Sequence, residues 1–159
     1  MSSSPAVPKR ATPLLDSPPV WMAAVIGLMV LLHLQLPIAR WLEAPWRSLG
    51  WVPLALALPT MLHSLLRFVA VGTGLRPFKP ATTLVATGAF RWTRNPMYLG
   101  MVVCTVGIAV LLGTVSPLLG PPLLFLILDR HFVRREEVFL RANLGEPYEL
   151  YCQRVRRWL

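Results

Sequence analysis

Apolar residues in this chain gather in four runs, at about residues 20–36, 51–71, 97–112 and 118–133, separated by polar connectors. An α-helix needs about 20 predominantly apolar residues to cross a bilayer. The first two runs come close to this length, and the last two are shorter. The pattern predicts an all-α integral membrane protein with about four transmembrane helices.

The connector between the last two runs, residues 113–122, contains glycine and proline but no charged residue. It predicts a tight helical hairpin whose tip reaches the far side of the membrane. A re-entrant hairpin that stops midway is the weaker interpretation. Beyond Pro147, apolar residues recur at helical spacing as far as Leu159. This spacing predicts a C-terminal amphipathic helix that lies in the membrane interface and anchors the hairpin.

The remaining segments complete the predicted domain organisation. Residues 1–19 are rich in Ser and Pro, which predicts a disordered tail, and residues 20–159 would form a single membrane domain. Within that domain we expect loop 76–96 and the C-terminal helices at 134–159 to lie on one face of the membrane. A secretory signal is the rival interpretation of the first apolar run, but no small-residue cleavage site follows it.

The charged residues indicate an orientation and exclude some functions. They make up 14% of the chain, against about 25% in soluble domains, and the net charge is +9. Basic residues gather at the N-terminus, in segment 76–94 and after residue 129, so the positive-inside rule places both termini and the loop in the cytoplasm. These clusters do not form the basic face of a nucleic-acid-binding protein. The cysteines and histidines lack the spacing of a metal site, so we expect no metal.

A polar, basic stretch, residues 88–98, comes directly before the third apolar run. Its Asn95-Pro96 pair is typical of a helix start, with a side-chain oxygen at the N-cap and proline at the first helical position. Such a start leaves backbone N–H groups open and carries the positive end of the helix dipole. Because Arg91 and Arg94 add positive charge, the stretch predicts an anion-binding site.

The hairpin should bring this stretch beside the acidic pair Glu136-Glu137. One side then offers Arg94 and the helix start for an anion, and the other offers a carboxylate for an amine or hydroxyl. S-adenosylmethionine carries a carboxylate, an amine, a ribose and a sulfonium, so it would use all of these groups. The aromatic residues that could face its sulfonium are Phe90, Trp92 and Tyr98. The residues alone leave it equally open that Arg94 and Glu136 form a structural salt bridge.

Two segments carry a resemblance to a known group of enzymes. Residues 84–100 (LVATGAFRWTRNPMYLG) and the later EEVFL and LGEPY segments resemble the signatures of the isoprenylcysteine carboxyl methyltransferase and phospholipid methyltransferase superfamily. The resemblance covers about residues 75–159. It implies a bacterial-type integral membrane methyltransferase of the inner membrane that binds S-adenosylmethionine at the cytoplasmic face. The cofactor contacts expected from the motifs and from the helix start are Thr82, Thr83, Leu84, Val85, Phe90, Arg94, Asn95, Pro96, Met97, Tyr98 and Glu136.

This chain departs from the family pattern at two of these positions. Phe90 stands where the relatives often have tyrosine, so a hydroxyl contact is missing and only stacking remains. Asn95 stands where they often have histidine, and asparagine can cap a helix but cannot titrate. The departures weaken the expectation of a eukaryotic-type substrate more than the expectation of an enzyme.

The resemblance also implies a lipophilic acceptor that enters from the bilayer between helices. The carboxylate of a prenylated cysteine is the first expectation, and phospholipid amines and small thiols are alternatives. An arginine shortly before the glutamate pair would hold the acceptor, with Arg130, Arg134 and Arg135 as candidates. Arg130, Arg134 and Glu137 also share a predicted helical face, which is typical of a solvated ion-pair stripe.

No residue is assigned a catalytic role beyond positioning, because displacement on an activated methyl group mainly requires correct placement. A non-catalytic membrane interaction or transport subunit is the hypothesis from a different class. A transporter needs polar groups near the bilayer midplane. The sequence offers only His33, Gln35 and His63 there, so this hypothesis ranks behind the enzyme. The sequence does not predict an oligomeric state.

Overall fold

The structure, a computed structural model, describes residues 17–70 and 84–159, with the side chains of residues 67–70 left out. Most of the predicted N-terminal tail lies outside the described residues, as do Thr82 and Thr83. Within the described ranges all regular secondary structure is helical, apart from an isolated β-bridge between Arg40 and Thr114. The all-α prediction is confirmed for this part of the chain.

Six α-helices are described, and short 3-10 turns connect several of them. The π-helical turn Leu128–Val133 joins the fourth and fifth helices into one continuous helical path. The α-helices are α1 Pro18–Gln35, α2 Trp51–Ala70, α3 Pro96–Leu112, α4 Gly120–Ile127, α5 Arg134–Leu144 and α6 Glu146–Arg154. The 3-10 turns are Trp46–Gly50, Gly88–Arg91 and Ser116–Leu119.

Two described helical segments, Pro18–Gln35 and Trp46–Leu66, are long and apolar enough to cross a membrane, judged by length and composition. Large apolar side chains project outward from both, such as Leu34 at 66% exposure and Leu56 at 64%. Helix α3 is also apolar but has 17 residues. The four-span topology stays a prediction, with two helices that meet the length criterion.

The hairpin predicted between the third and fourth apolar runs is present as α3 and α4. Helix α3 ends at Leu112 and is followed by Gly113, whose φ of 69° lies in the left-handed region that favours glycine at a helix C-terminus. The hairpin tip packs against the connector that follows α1: Val115 N–H donates to Ala39 O at 2.9 Å, and Trp41 N–H donates to Gly113 O at 3.1 Å. The hairpin tip therefore lies beside the connector between α1 and α2.

Helix α3 lies at the centre of the fold. Its one side packs with α1 and α4 around a buried core, and its other side packs closely on α2, where Gly100 lies against Met61 and the Ala57 carbonyl. The core between α1, α3 and α4 contains Val25, Met29, Met101, Leu124, Leu128 and Val133. This packing fixes the N-terminus of α3, where the polar stretch lies, relative to the end of α4.

The C-terminal helix is shorter than predicted. Helix α6 ends at Arg154, and Val155 has extended backbone angles, φ −121° and ψ 129°. The chain then returns to the base of the hairpin, where Trp158 Nε1 donates to Asp129 Oδ1 at 3.1 Å. The predicted continuation of an amphipathic helix to Leu159 is therefore wrong. Acidic groups buried at the hairpin base provide partners that a helix lying in the interface would not reach.

Candidate functional site

Helix α3 begins at Pro96 with Asn95 at the N-cap position, as the sequence predicts. The Asn95 side chain makes no capping hydrogen bond to the helix, and its Nδ2 donates to the carbonyl of Arg157 at 3.0 Å. Among the described residues, the N–H groups of Met97 and Tyr98 have no backbone acceptor. The helix start thus keeps open donors at the positive end of its dipole, while the predicted capping role of Asn95 is wrong.

The hairpin brings Tyr98 and Glu136 together, 38 residues apart in sequence. The Tyr98 hydroxyl donates to Glu136 Oε1 at 2.7 Å, and the tyrosine ring is buried with its centroid 6.3 Å from that of Phe132. Burial raises the pKa of Glu136 to about 7, although the hydrogen bond from Tyr98 lowers it. Among the described residues Glu136 forms no ion pair. The predicted meeting of the polar stretch with the acidic pair is therefore observed.

Glu137, the next residue, lies in a different environment. Arg157 donates to both of its oxygens, Nε to Oε1 at 2.9 Å and Nη2 to Oε2 at 2.6 Å. Arg94 Nη2 lies 3.4 Å from Oε1, and the Glu137 side chain is only 5% exposed. The hydrogen bond to Glu137 is the main reason that the pKa of Arg157 is raised. The alternative salt bridge between Arg94 and Glu136 is wrong, since the partner of Arg94 is Glu137.

The guanidinium of Arg94 is largely bound by the protein itself. Besides the ion pair with Glu137, its Nη1 donates to the sulfur of Cys152. Its Nε is buried and has no partner among the described residues. Arg94 therefore braces the site from inside, and the open N–H groups of α3 are available as donors for an anion.

The aromatic residues of the polar stretch differ in how far they are buried. Phe90 is buried, and its carbonyl accepts a hydrogen bond of 2.8 Å from the Tyr151 hydroxyl. Trp92 is 78% exposed and does not enclose the site. Leu84, Val85 and Met97 are half-buried.

Sequence reasoning missed Tyr151, Thr93 and Arg157. Thr93 Oγ1 donates to the Arg157 carbonyl at 3.0 Å and accepts from the Asn95 N–H at 3.2 Å. Thr93 and Arg157 thereby order the segment in front of α3. A signal for Arg157 did exist, since it belongs to a run of basic residues that follows the glutamate pair in the sequence. The helical spacing of the C-terminal segment concealed that signal.

The three arginines that were candidates for binding the acceptor lie in different environments. Arg134 Nε bonds to Asp129 Oδ2 at 2.9 Å, five residues earlier, which is the spacing of a π-turn. The predicted stripe of Arg130, Arg134 and Glu137 is therefore wrong, because the π-turn rotates the residues after it. Arg135 is exposed and forms no ion pair with a described residue.

Arg130 lines a shallow open groove with a volume of about 300 Å³. The groove lies between α1 and the end of α4. Its other lining residues are Trp21, Leu126, Ile127 and His131. A row of aromatic rings connects this groove with the site. The ring centroids of His131 and Phe132 are separated by 5.0 Å, and those of Phe132 and Tyr98 by 6.3 Å.

His63 lies beside the turn that opens the polar stretch. Its ring is against Gly88, whose φ of 65° is left-handed, so that a side chain at this position would collide with the imidazole. His63 Nε2 is buried without a partner among the described residues. The sequence left the role of His63 open, and the structure places its ring against the turn that opens the polar stretch.

A family profile and two curated relatives point to methyltransferases. The sequence profile of the phospholipid methyltransferase family matches residues 45–146. A stretch of 79 residues is 38% identical to a probable protein-S-isoprenylcysteine O-methyltransferase of Oryza sativa subsp. indica, and equally to that of subsp. japonica. It covers 48% of this chain and 40% of each rice protein, so the chain spans less than half the length of these relatives.

A further match is to an uncharacterized protein of Haemophilus influenzae, 33% identical over 63 residues. The matched stretch covers 40% of this chain and 100% of that protein. No solved structure matches the chain.

Proposed function

Because the chain belongs to the phospholipid methyltransferase family, we propose that it transfers a methyl group from S-adenosylmethionine to a lipophilic acceptor at the cytoplasmic membrane face. The match over residues 45–146 agrees with the resemblance seen in the two signatures. The observation that carries the proposal is the Tyr98–Glu136 pair beside the open start of α3. Here the open N–H groups of α3, from the first signature, lie close to the Glu136 carboxylate, from the second signature. Among the described residues this carboxylate has no cationic partner.

The residues present fit S-adenosylmethionine by their donor and acceptor chemistry. The N–H groups of Met97 and Tyr98 suit its carboxylate, because they lie at a helix N-terminus. Among the described residues only Tyr98 bonds to Glu136, so the carboxylate can still accept from an amine or a hydroxyl. When bound, the cofactor supplies an activated methyl group on a sulfonium.

The chain's own residues then hold and orient the reactants. Tyr98 fixes the Glu136 carboxylate by its hydrogen bond of 2.7 Å, and Arg94 braces the same helix start through Glu137. Holding reactants at near-attack distance is a large part of what such a displacement requires. Phe90 is buried beside this segment and contributes an apolar wall where many relatives would place a hydroxyl.

The groove beside Arg130 supports a lipophilic acceptor. Trp21, Leu126 and Ile127 offer apolar surface, and Arg130 offers a cation at its polar end. Arg134 is engaged by Asp129, and Arg135 does not line the groove, so Arg130 is the best candidate for binding an anionic acceptor group. A prenylated cysteine carboxylate suits these features first, and phospholipid amines and small thiols remain alternatives.

We further propose that the protein crosses the inner membrane of a bacterial cell four times. Both termini and the site would then lie on the cytoplasmic side. Pro18–Gln35 and Trp46–Leu66 have the length and composition of spans, and the hairpin tip packs beside the connector between them. The basic residues near the start of α3 and after α4 suit the cytoplasmic side.

Methyl transfer can be tested with labelled S-adenosylmethionine and wild-type protein in nanodiscs. Farnesylated N-acetylcysteine, phosphatidylethanolamine and an alkyl thiol serve as acceptors, and base-labile label identifies a methyl ester. We expect label in the ester fraction, and Arg130→Ala to raise the acceptor KM about tenfold, a loss of about 1.4 kcal/mol. Arg135→Ala is the matched control and should leave the KM unchanged. Wild-type protein that labels none of the three acceptors would contradict the proposed activity.

A further inference from the structure

The last five residues, 155–159, lie across the polar stretch and do not continue α6. Two successive carbonyls in this segment accept three hydrogen bonds from the residues in front of α3. The Arg94 N–H donates to Arg156 O at 2.9 Å, and Thr93 Oγ1 donates to Arg157 O at 3.0 Å. Asn95 Nδ2 donates to the same Arg157 oxygen at 3.0 Å. The backbone of this segment thus binds the first half of the site.

The side chains of the same segment bind the second half. Arg157 forms the two-pronged contact with Glu137, and its Nη1 lies 3.9 Å from Asp129 Oδ1. Trp158 donates to Asp129, and its ring centroid lies 4.8 Å from that of Phe125. All three partners lie on the helical path from α4 to α5. One short segment therefore bridges the start of α3 and the helix that carries Glu136.

We propose that residues 155–159 form a C-terminal clasp that sets the distance between the start of α3 and Glu136, with Arg157 as its positioning residue. The consequence for cofactor binding rests on the proposed function. Arg157 need not touch the cofactor to act. Its carbonyl orders Thr93 and Asn95, and its guanidinium orders Glu137, the neighbour of Glu136.

The polar contacts of Arg157 differ in kind from the packing that holds the helices together. The core between α1, α3 and α4 is built from apolar side chains such as Met29, Met101 and Leu124, and Trp158 of the clasp packs against it. The Arg157 side chain bonds instead to the carboxylate of Glu137. Charge-assisted hydrogen bonds from Arg157 to the buried carboxylate of Glu137 hold the clasp in place. Loss of these bonds should therefore loosen the site while the helices remain packed.

The test compares Arg157→Ala, Arg157→Lys and Arg154→Ala in the full chain in detergent. Arg154 is the matched control, because it is an exposed arginine at the end of α6 and forms no ion pair with a described residue. Hydrogen exchange of the Arg94 amide reports the clasp directly, and titration with S-adenosylhomocysteine reports its consequence. Circular dichroism checks that the helices remain.

We expect Arg157→Ala to speed exchange of the Arg94 amide at least tenfold and to weaken S-adenosylhomocysteine about tenfold. Arg157→Lys keeps the charge but not the two-pronged geometry, so it should recover part of both effects and also covers the case in which Arg157→Ala does not fold. Arg154→Ala should match wild type. Unchanged exchange in Arg157→Ala would overturn the clasp. Altered exchange with no ligand binding by wild type would leave the clasp standing and count against the proposed function alone.

Discussion

Glu136 and Glu137 are adjacent residues of the same type, yet α5 presents them to opposite kinds of environment. The Glu137 carboxylate is bound by Arg157 and Arg94. Glu136 accepts one hydrogen bond from the neutral Tyr98, and burial raises its pKa to about 7. Successive residues on a helix point about 100° apart, since a turn has about 3.6 residues. One carboxylate is therefore satisfied by the protein, and the other is left able to serve a ligand.

The two environments distinguish a structural acid from a candidate functional acid at one helix base. A buried carboxylate matched by arginines contributes to the fold, whereas a carboxylate buried without a cation lowers stability. Groups of the second kind are frequent at binding and catalytic sites, where function requires an unmatched charge. The two glutamates should accordingly respond in opposite ways to the same isosteric substitution.

The largest expected effect is that of Glu137→Gln. It leaves Arg94 and Arg157 without their carboxylate, and breaking a buried ion pair typically costs about 3–5 kcal/mol. Because the Arg157 side chain is 35% exposed, we expect a loss of about 2–3 kcal/mol in the free energy of unfolding. Thermal unfolding in detergent measures it. A loss below about 0.5 kcal/mol would mean that the pair is no stronger than a surface ion pair.

Glu136→Gln should show a smaller effect of opposite sign that depends on pH. The pKa of Glu136 is raised from 4.5 to about 7, so its favourable contribution is complete below pH 4.5 and is lost as pH rises through 7. Gln cannot ionise and escapes this loss. We expect the variant to match wild type near about pH 5 and to exceed it by about 1–2 kcal/mol near about pH 8, after allowance for partial exposure.

Thermal unfolding of both proteins across this pH range checks the sign. Glu146→Gln is the matched control, because it makes the same chemical change at an exposed glutamate. Its difference from wild type should stay constant with pH. A constant difference for Glu136→Gln as well would show that Glu136 is solvated in solution and would remove the contrast between the two glutamates.

Short sequence patterns predicted two parts of the site, the start of α3 and the hairpin. Asn95-Pro96 marked the start of α3, and the uncharged connector marked the hairpin that carries Glu136 to Tyr98. Which glutamate meets which arginine could not be predicted. That choice depends on the rotation of α5, and the π-turn Leu128–Val133 changes this rotation.

The C-terminal segment shows a second limit of sequence reasoning. Apolar residues at helical spacing up to Leu159 made Arg157 look like part of a solvent-facing helix surface. The chain instead leaves the helix at Val155, because the buried Glu137 and Asp129 bind Arg157 and Trp158. A helical period describes one element at a time, and it contains no information about acids that another element buries.

We propose that Glu136 and the start of α3 form a site for S-adenosylmethionine. Titration calorimetry with S-adenosylhomocysteine, in detergent and in nanodiscs, tests it most directly. The wild-type protein should bind, and Glu136→Ala should weaken binding at least tenfold, a loss of about 1.4 kcal/mol. Absence of binding by wild-type protein in both media would contradict the claim.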